Sequence, residues 1–441
     1  MSPEIFQQRR ARVLSNMHEG IAIVYAHHLQ TRSNDTEYRF RQNSNFHYLT
    51  GLNEEGAILL LMKNNKDYQS IIFVKEKDPA IEVWAGRRLG VTAAAAQLRV
   101  DRACDIKDFT KEVPKYLLGH SQVYLDFQHR PKALTEILNY IQQIPRALTK
   151  KQQVPQNIAN LAPLLGRLRL EKSDCEIDAI KHALSITNRA HRAAMAKTQV
   201  AKNEYEVYAL LEYIFKKEGA DYSAYDPIVA GGDNANTLHY IENNQPLHAG
   251  DLLLIDAGCE YQLYASDITR TFPINGEFSS AQAAVYHWVL KAQEVAIAAA
   301  LPGNTIDQLH KLASAVLVDG LLALGIMSGH KEKIIAEGSY RKYYPHGTCH
   351  WLGLDVHDQS PYLDGTCTEI KFAKGMVFTV EPGLYFSQDD LTIPAQYRGL
   401  GIRIEDNILI TEQGHENLSA AIPKTIEGIE KACAENWQTF L

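Results

Sequence analysis

Four acidic residues stand where apolar strands are expected. GDLLLIDAG (250–258) ends its apolar run on Asp256, and GMVFTVEPG (375–383) does the same with Glu381. In both, the carboxylate follows one glycine by six residues and precedes the next by two. A second acidic strand follows each: SDITRTF with Asp267, and IRIEDNILI with Glu405. The segments read as a weak internal repeat, each half contributing a carboxylate pair. Burying a carboxylate is costly unless it is paired or binds a cation. Arg270 and Arg403 could neutralise two of the four at most. Two divalent cations would balance all four charges. An oxygen-rich ligand set without thiolates favours Mn, then Co, Fe or Zn, over copper or an iron–sulfur cluster. A nitrogen donor should come from HGTCHWLGLDVHD (346–358), where three histidines fall in one glycine-containing segment. His350 lies nearest the repeated glycine-rich turn and is the expected ligand, leaving His346 and His357 to contact substrate.

The elements that must position these groups fall into two textures. In the first ~150 residues, GIAIVYA, GAILLLM and SIIFVK are short, apolar and β-branched, and alternate with amphipathic stretches such as FQQRRARVLSNM and LTEILNYIQQI. That is an α/β layer pattern. The polar stretch TKKQQVPQN (149–157) is the linker candidate, and a boundary at about 160 to 170 divides an α/β domain over 1–168 from an α+β domain over 169–441. Past it, capping boxes are expected at Ser173/Glu176, Asn203/Glu206 and Thr305/Gln308, each followed by apolar residues at helical spacing.

Composition narrows the class. With 441 residues and 45% hydrophobic content the chain can bury two cores, as expected of a soluble two-domain protein. A net charge of -7 disfavours nucleic-acid binding, and no apolar run is long enough to span a membrane. The polar N-terminus and six scattered cysteines without a C-x-x-C pair point to reduced thiols and a cytoplasmic location. Cys349, beside His350, has no base positioned by the sequence to make it a nucleophile.

Asp256, Asp267, His350, Glu381 and Glu405 match, in order, spacing and flanking sequence, the five-ligand signature of the creatinase/methionine aminopeptidase "pita-bread" superfamily. LIDAGCEY, SDITRTFPINGEF, HGTCHWLGLDVHD, VEPGLY and YRGLGIRIEDNILIT resemble its aminopeptidase P branch, and YRFRQNSNFHYLTG (38–51) and WAGRRLG (84–90) resemble that branch's N-terminal domain. The resemblance implies a pita-bread catalytic domain, peptidase family M24. It implies two metal ions, with Asp267 and Glu405 spanning both, Asp256 completing one site, and His350 and Glu381 the other. The implied reaction removes the N-terminal residue from peptides with proline second, by a hydroxide between the ions, with Glu381 carrying the proton. His239, His346 and His357 would line the substrate cleft, and Arg403 and Tyr385 would support the ligands. Trp84 and Arg88 would complete a neighbour's pocket in a homo-oligomer, a dimer or tetramer; the alternative is that Trp84 fills its own domain's core. A prolidase would share the five ligands. The long N-terminal domain argues against a methionine aminopeptidase, and the complete ligand set against a non-catalytic interaction module.

Overall fold

The computed structural model describes residues 1–65, 67–128 and 132–441. The chain divides into two compact units, Met1–Arg169 and Leu170–Leu441.

In the first unit, six strands form one mixed sheet in the order Arg102–Asp105, Asp67–Val74, Ile58–Asn64, Gly20–Tyr25, Gln122–Leu125, Asn157–Asn160. Gly20–Tyr25 runs antiparallel to Ile58–Asn64 and parallel to Gln122–Leu125. Its apolar residues Ile21 and Ile23 are buried with Leu60, Phe73, Val113 and Ile137, the layer expected of strands alternating with amphipathic helices. The stretch 149–157, read above as the linker, instead lies inside this unit: it leads into Asn157–Asn160, which pairs parallel with Gln122–Leu125. The opening helix Pro3–Asn16 buries Phe6, Val13 and Leu14, and also Arg9 and Arg10. The two guanidinium groups donate to the carbonyls of Tyr48, Leu49 and Leu98, so the charges are buried against acceptors.

The second unit is α+β. Ile228–Gly231, Leu252–Asp256 and Thr269–Pro273 form one antiparallel sheet, and Val377–Val380, Asp406–Ile410 and His415–Asn417 another. Gly383–Phe386 pairs with Leu400–Arg403. Helices Asp174–Lys197, Glu204–Lys217, Ser280–Ala298 and Ile306–Ala323 share one apolar core with these strands. Reciprocal capping boxes form at Ser173/Glu176 and Thr305/Gln308. Asn203 does precede a helix, but its side chain makes no capping hydrogen bond and meets Glu206 at 3.5 Å. Among the described residues no helix is long and apolar enough to cross a membrane.

Candidate active site

The two acidic segments become two β-hairpins with matching ends. Leu252–Asp256 pairs with Thr269–Pro273, Asp256 opposite Thr269. Val377–Val380 pairs with Asp406–Ile410, Val380 opposite Asp406. Only Asp256 belongs to a strand; Asp267, Glu381 and Glu405 occupy the breaks beside strand ends. The expectation of acids within strands is corrected there, because leaving the ladder frees the side chain from strict alternation between faces. The hairpins meet at their acidic ends. Glu405 N–H donates to Thr269 O at 3.0 Å, and the Asn407 amide bonds both the N–H and the carbonyl of Asp267. The second glycine of each repeated pattern lets its own strand pair close tightly. A Cβ at Gly258 would stand 1.8 Å from Ser266 O, and one at Gly383 would stand 2.6 Å from the Tyr385 hydroxyl.

The histidine segment is laid against the second hairpin. Glu381 N–H donates to Thr348 O, Thr379 N–H to His350 O, and Leu352 N–H to Val377 O, all within 3.0 Å. This irregular ladder sets His350 beside Glu381. His350 Nδ1 faces Trp351 O at 3.2 Å; a carbonyl only accepts, so Nδ1 carries the proton. That leaves Nε2 toward Asp267 at 3.2 Å and Glu381 at 3.6 Å. Donor atoms of Asp267, His350 and Glu405 lie within 4.8 Å of one another, as a metal ion requires.

Electrostatics supports the same reading. Burial, reinforced by Asp267, Glu381 and Asp256, raises the Glu405 carboxyl well above its usual range. Burial lifts Glu381 to about 8 against the pull of His350 and Arg403. Asp256 is also raised, by burial and Asp267, against Arg403. For His350, burial favours the neutral ring but is outweighed by the Asp267 hydrogen bond and the Glu381 charge, giving about 9. Without cations Glu381 and His350 hold protons at neutral pH, and Asp256 and Glu405 ionise less readily than usual; divalent cations, accepted by oxygen and imidazole donors, fit in place of those protons.

Among the described residues lining the cavity, Arg403 is the one fixed positive charge. Its Nη2 meets Asp256 at 2.7 Å, its Nη1 the Tyr385 hydroxyl at 2.9 Å and its Nε Thr269 Oγ1 at 3.0 Å. Tyr385 in turn donates to His346 Nε2 at 2.8 Å, because His346 Nδ1 gives its proton to Gly347 O. Burial and Arg403 hold His346 at about 3, so its 3.8 Å approach to Glu381 is not an ion pair at neutral pH. Arg270, by contrast, does not neutralise the cluster. It forms a fully buried pair with Asp406 at 2.7 Å and donates to the carbonyls of Thr269, Ile422 and Pro423.

A cavity of about 460 Å³ opens on this cluster. It is lined by Asp256, Asp267, His350, Glu381 and Glu405, and by His239, His346, His357 and Arg403. Tyr385 stands behind Arg403 and His346. Trp84 and Arg88 belong to the first unit. Trp84 lies on the first unit's helix Pro79–Ala85, of which no residue is buried, and is 90% exposed. It does not fill that unit's core. Cys349 lines the cavity, but burial pushes its thiol well up, and all six cysteines are free. Sequence reasoning missed Tyr225, whose hydroxyl bridges Asp256 Oδ1 at 2.6 Å and Asp267 Oδ1 at 2.5 Å. Lying 31 and 42 residues from these partners, it left no local signal.

Fold and cluster together define a metal-dependent peptidase of the pita-bread type. Residues 178–412 match metallopeptidase family M24, and residues 6–124 match the aminopeptidase P N-terminal domain. Xaa-Pro aminopeptidase of Haemophilus influenzae is 43% identical over 97% of this chain and 96% of its own length. The Escherichia coli enzyme of that name is 40% identical, over 98% and 97%. Zn-substituted E. coli aminopeptidase P in complex with product superposes with a TM-score of 0.94 at 40% identity, covering 98% of both chains. E. coli aminopeptidase P with the inhibitor Pro-Leu does so equally. The chain belongs to metallopeptidase family M24, in its aminopeptidase P branch.

Proposed function

We infer that the chain is an Xaa-Pro aminopeptidase, hydrolysing the bond between an N-terminal residue and a proline in second position. One observation favours this over the dipeptidase alternative. Arg403 is the one Lys or Arg among the described residues lining the cavity, and its nitrogens are taken by Asp256, Tyr385 and Thr269. A dipeptidase is expected to seat the proline carboxylate on a dedicated cation, and the described lining of this chain offers no Lys or Arg beyond the guanidinium already engaged by Asp256.

Two divalent cations would be held by Asp256, Asp267, His350, Glu381 and Glu405, with Asp267 and Glu405 shared, and Mn2+ suits this oxygen-rich set best. Bound there, such ions lower the pKa of water and stabilise charge developing on the scissile carbonyl oxygen. The residues of the chain do the rest. Arg403 holds Asp256 and Tyr385 in place, and Tyr385 orients His346. Glu381 takes the proton of the attacking water and gives it to the proline nitrogen, which has no proton of its own. His239 and His357 flank the ring and peptide. The test is a side-by-side measurement on the Mn-loaded protein. Xaa-Pro-Yaa and longer peptides are cleaved with higher kcat/KM than Xaa-Pro dipeptides, peptides with alanine second are much poorer, and acetylation of the N-terminus blocks cleavage. A clear preference for dipeptides would reassign the chain to the prolidases.

A further inference from the structure

Between Asn236 and Gln245 the chain forms neither helix nor strand, yet this stretch brings Leu238 and His239 to the wall of the cavity. A wall without a ladder must be held by side chains. Its principal holder is Glu204, the first residue of the helix Glu204–Lys217, and it is wholly buried. Its carboxylate accepts four hydrogen bonds. Gly231 N–H and the Asn234 amide reach Oε1 at 2.8 and 2.9 Å, and the Tyr240 hydroxyl and Gln245 N–H reach Oε2, both at 2.8 Å. These donors lie at both ends of the loop and next to His239. Glu204 N–H donates back to Gln245 O at 3.0 Å. A carboxylate at a helix N-terminus is also favoured by the helix dipole. Tyr240 is buried while His239 is exposed to the cavity, so fixing Tyr240 fixes where the neighbouring imidazole points.

We propose that Glu204 is a positioning residue for substrate, gathering the segment from the strand end Gly231 to Gln245 so that His239 faces the peptide. It acts on peptide seating and not on the metal ligands, none of which it touches. The proposal rests on the peptidase reading and on His239 contacting substrate.

Glu204→Gln tests it, since the amide keeps the size but turns one acceptor into a donor. The Tyr240 hydroxyl or the Asn234 amide can reorient to accept from the new NH2, but the backbone N–H of Gln245 or Gly231 beside it cannot. One end of the loop is therefore released. On an Xaa-Pro-Yaa peptide, KM should rise about tenfold with kcat within about twofold, the loss expected for one buried bond to a charged acceptor. Metal stoichiometry by titration should stay that of the wild type. In a His239→Ala background, Glu204→Gln should change KM by less than about twofold, because the residue it positions is gone. An unchanged KM in Glu204→Gln, or a full additive rise in the His239→Ala background, would overturn the proposal. If Glu204→Gln does not fold, Tyr240→Phe removes one of the four donors; a KM rise with kcat retained supports the proposal, and an unchanged KM overturns it. Failure of the wild type on every Xaa-Pro peptide would instead refute the peptidase reading. A wild-type KM in His239→Ala alone would refute the His239 assignment, and the proposal with it.

Discussion

Replacing Arg403 probes how the site balances its charge. The guanidinium serves three partners through three different nitrogens: Asp256 at 2.7 Å, Tyr385 at 2.9 Å and Thr269 at 3.0 Å. Thr269 Oγ1 in turn donates to Glu405 at 2.8 Å. Lysine keeps the charge but offers a compact ammonium that cannot span this planar fork. Kept on Asp256, it abandons Tyr385 and Thr269, two bonds of about 1 to 1.5 kcal/mol each. The predicted loss is then about 2 to 3 kcal/mol, or roughly 30- to 150-fold in kcat/KM. Arg403→Met removes the charge as well. Breaking a buried pair costs about 3 to 5 kcal/mol, so activity should fall by about another order of magnitude and thermal stability should drop. The assay is kcat/KM on an Xaa-Pro-Yaa peptide at saturating metal, beside thermal melts with and without metal. Tyr385→Phe removes one of the three partners and should be the mildest variant. Arg403→Lys within threefold of wild type, or Tyr385→Phe worse than Arg403→Met, would refute the reasoning.

Asp267→Asn and Glu405→Gln should each abolish peptidase activity without unfolding the chain, and activity within tenfold of wild type in either would sink the shared-ligand assignment; metal-free Glu405→Gln should melt no lower than the metal-free wild type, since a carboxyl buried among other acids is gone. Chelation should inactivate the enzyme and two equivalents of Mn2+ per chain restore it, with full recovery at one equivalent as the contrary result. With folded-state values of about 8 for Glu381 against 4.5, and about 9 for His350 against 6.5, these two groups keep protons near neutral pH in the metal-free folded chain that the unfolded chain releases. Below about 6.5 the buried neutral His47, His191 and His346 act in the opposite sense, so stability should fall as pH rises from about 6.5 through about 9; metal binding at pH 7 should release about two or more protons, readable by calorimetry in buffers of different ionisation enthalpy, and proton-neutral binding would contradict this. The exposed Trp84 predicts self-association as a dimer or tetramer, and Trp84→Ala should lose activity on long peptides more than stability; a fully active monomer by light scattering would remove that role.

The sequence by itself determined what is local. Apolar runs ending on Asp256 and Glu381 between fixed glycines marked the hairpins, and the glycines have a tertiary reason, since a Cβ at Gly258 or Gly383 would collide with backbone or side chain. The capping boxes at Ser173 and Thr305 are legible because donor and acceptor lie three residues apart. Buried acids without enough basic partners called for cations, and the resemblance of the segments around them to aminopeptidase P implied the metallopeptidase class. Only the tertiary structure decided the partners. Nothing near Tyr225 announces that its hydroxyl bridges two acids, and nothing near Arg270 says that it belongs to Asp406, 136 residues away. The same holds for Glu204, which reads as an ordinary first-turn acid until the loop folds back on it. Strand register and loop closure bring such groups together, and they depend on how whole elements pack. At Asn203 packing overrode a local signal: the residue bridges to Pro246, and the capping role its spacing suggested does not form. Trp84 shows the converse, an aromatic that hydrophobicity alone would bury but whose helix leaves it in solvent.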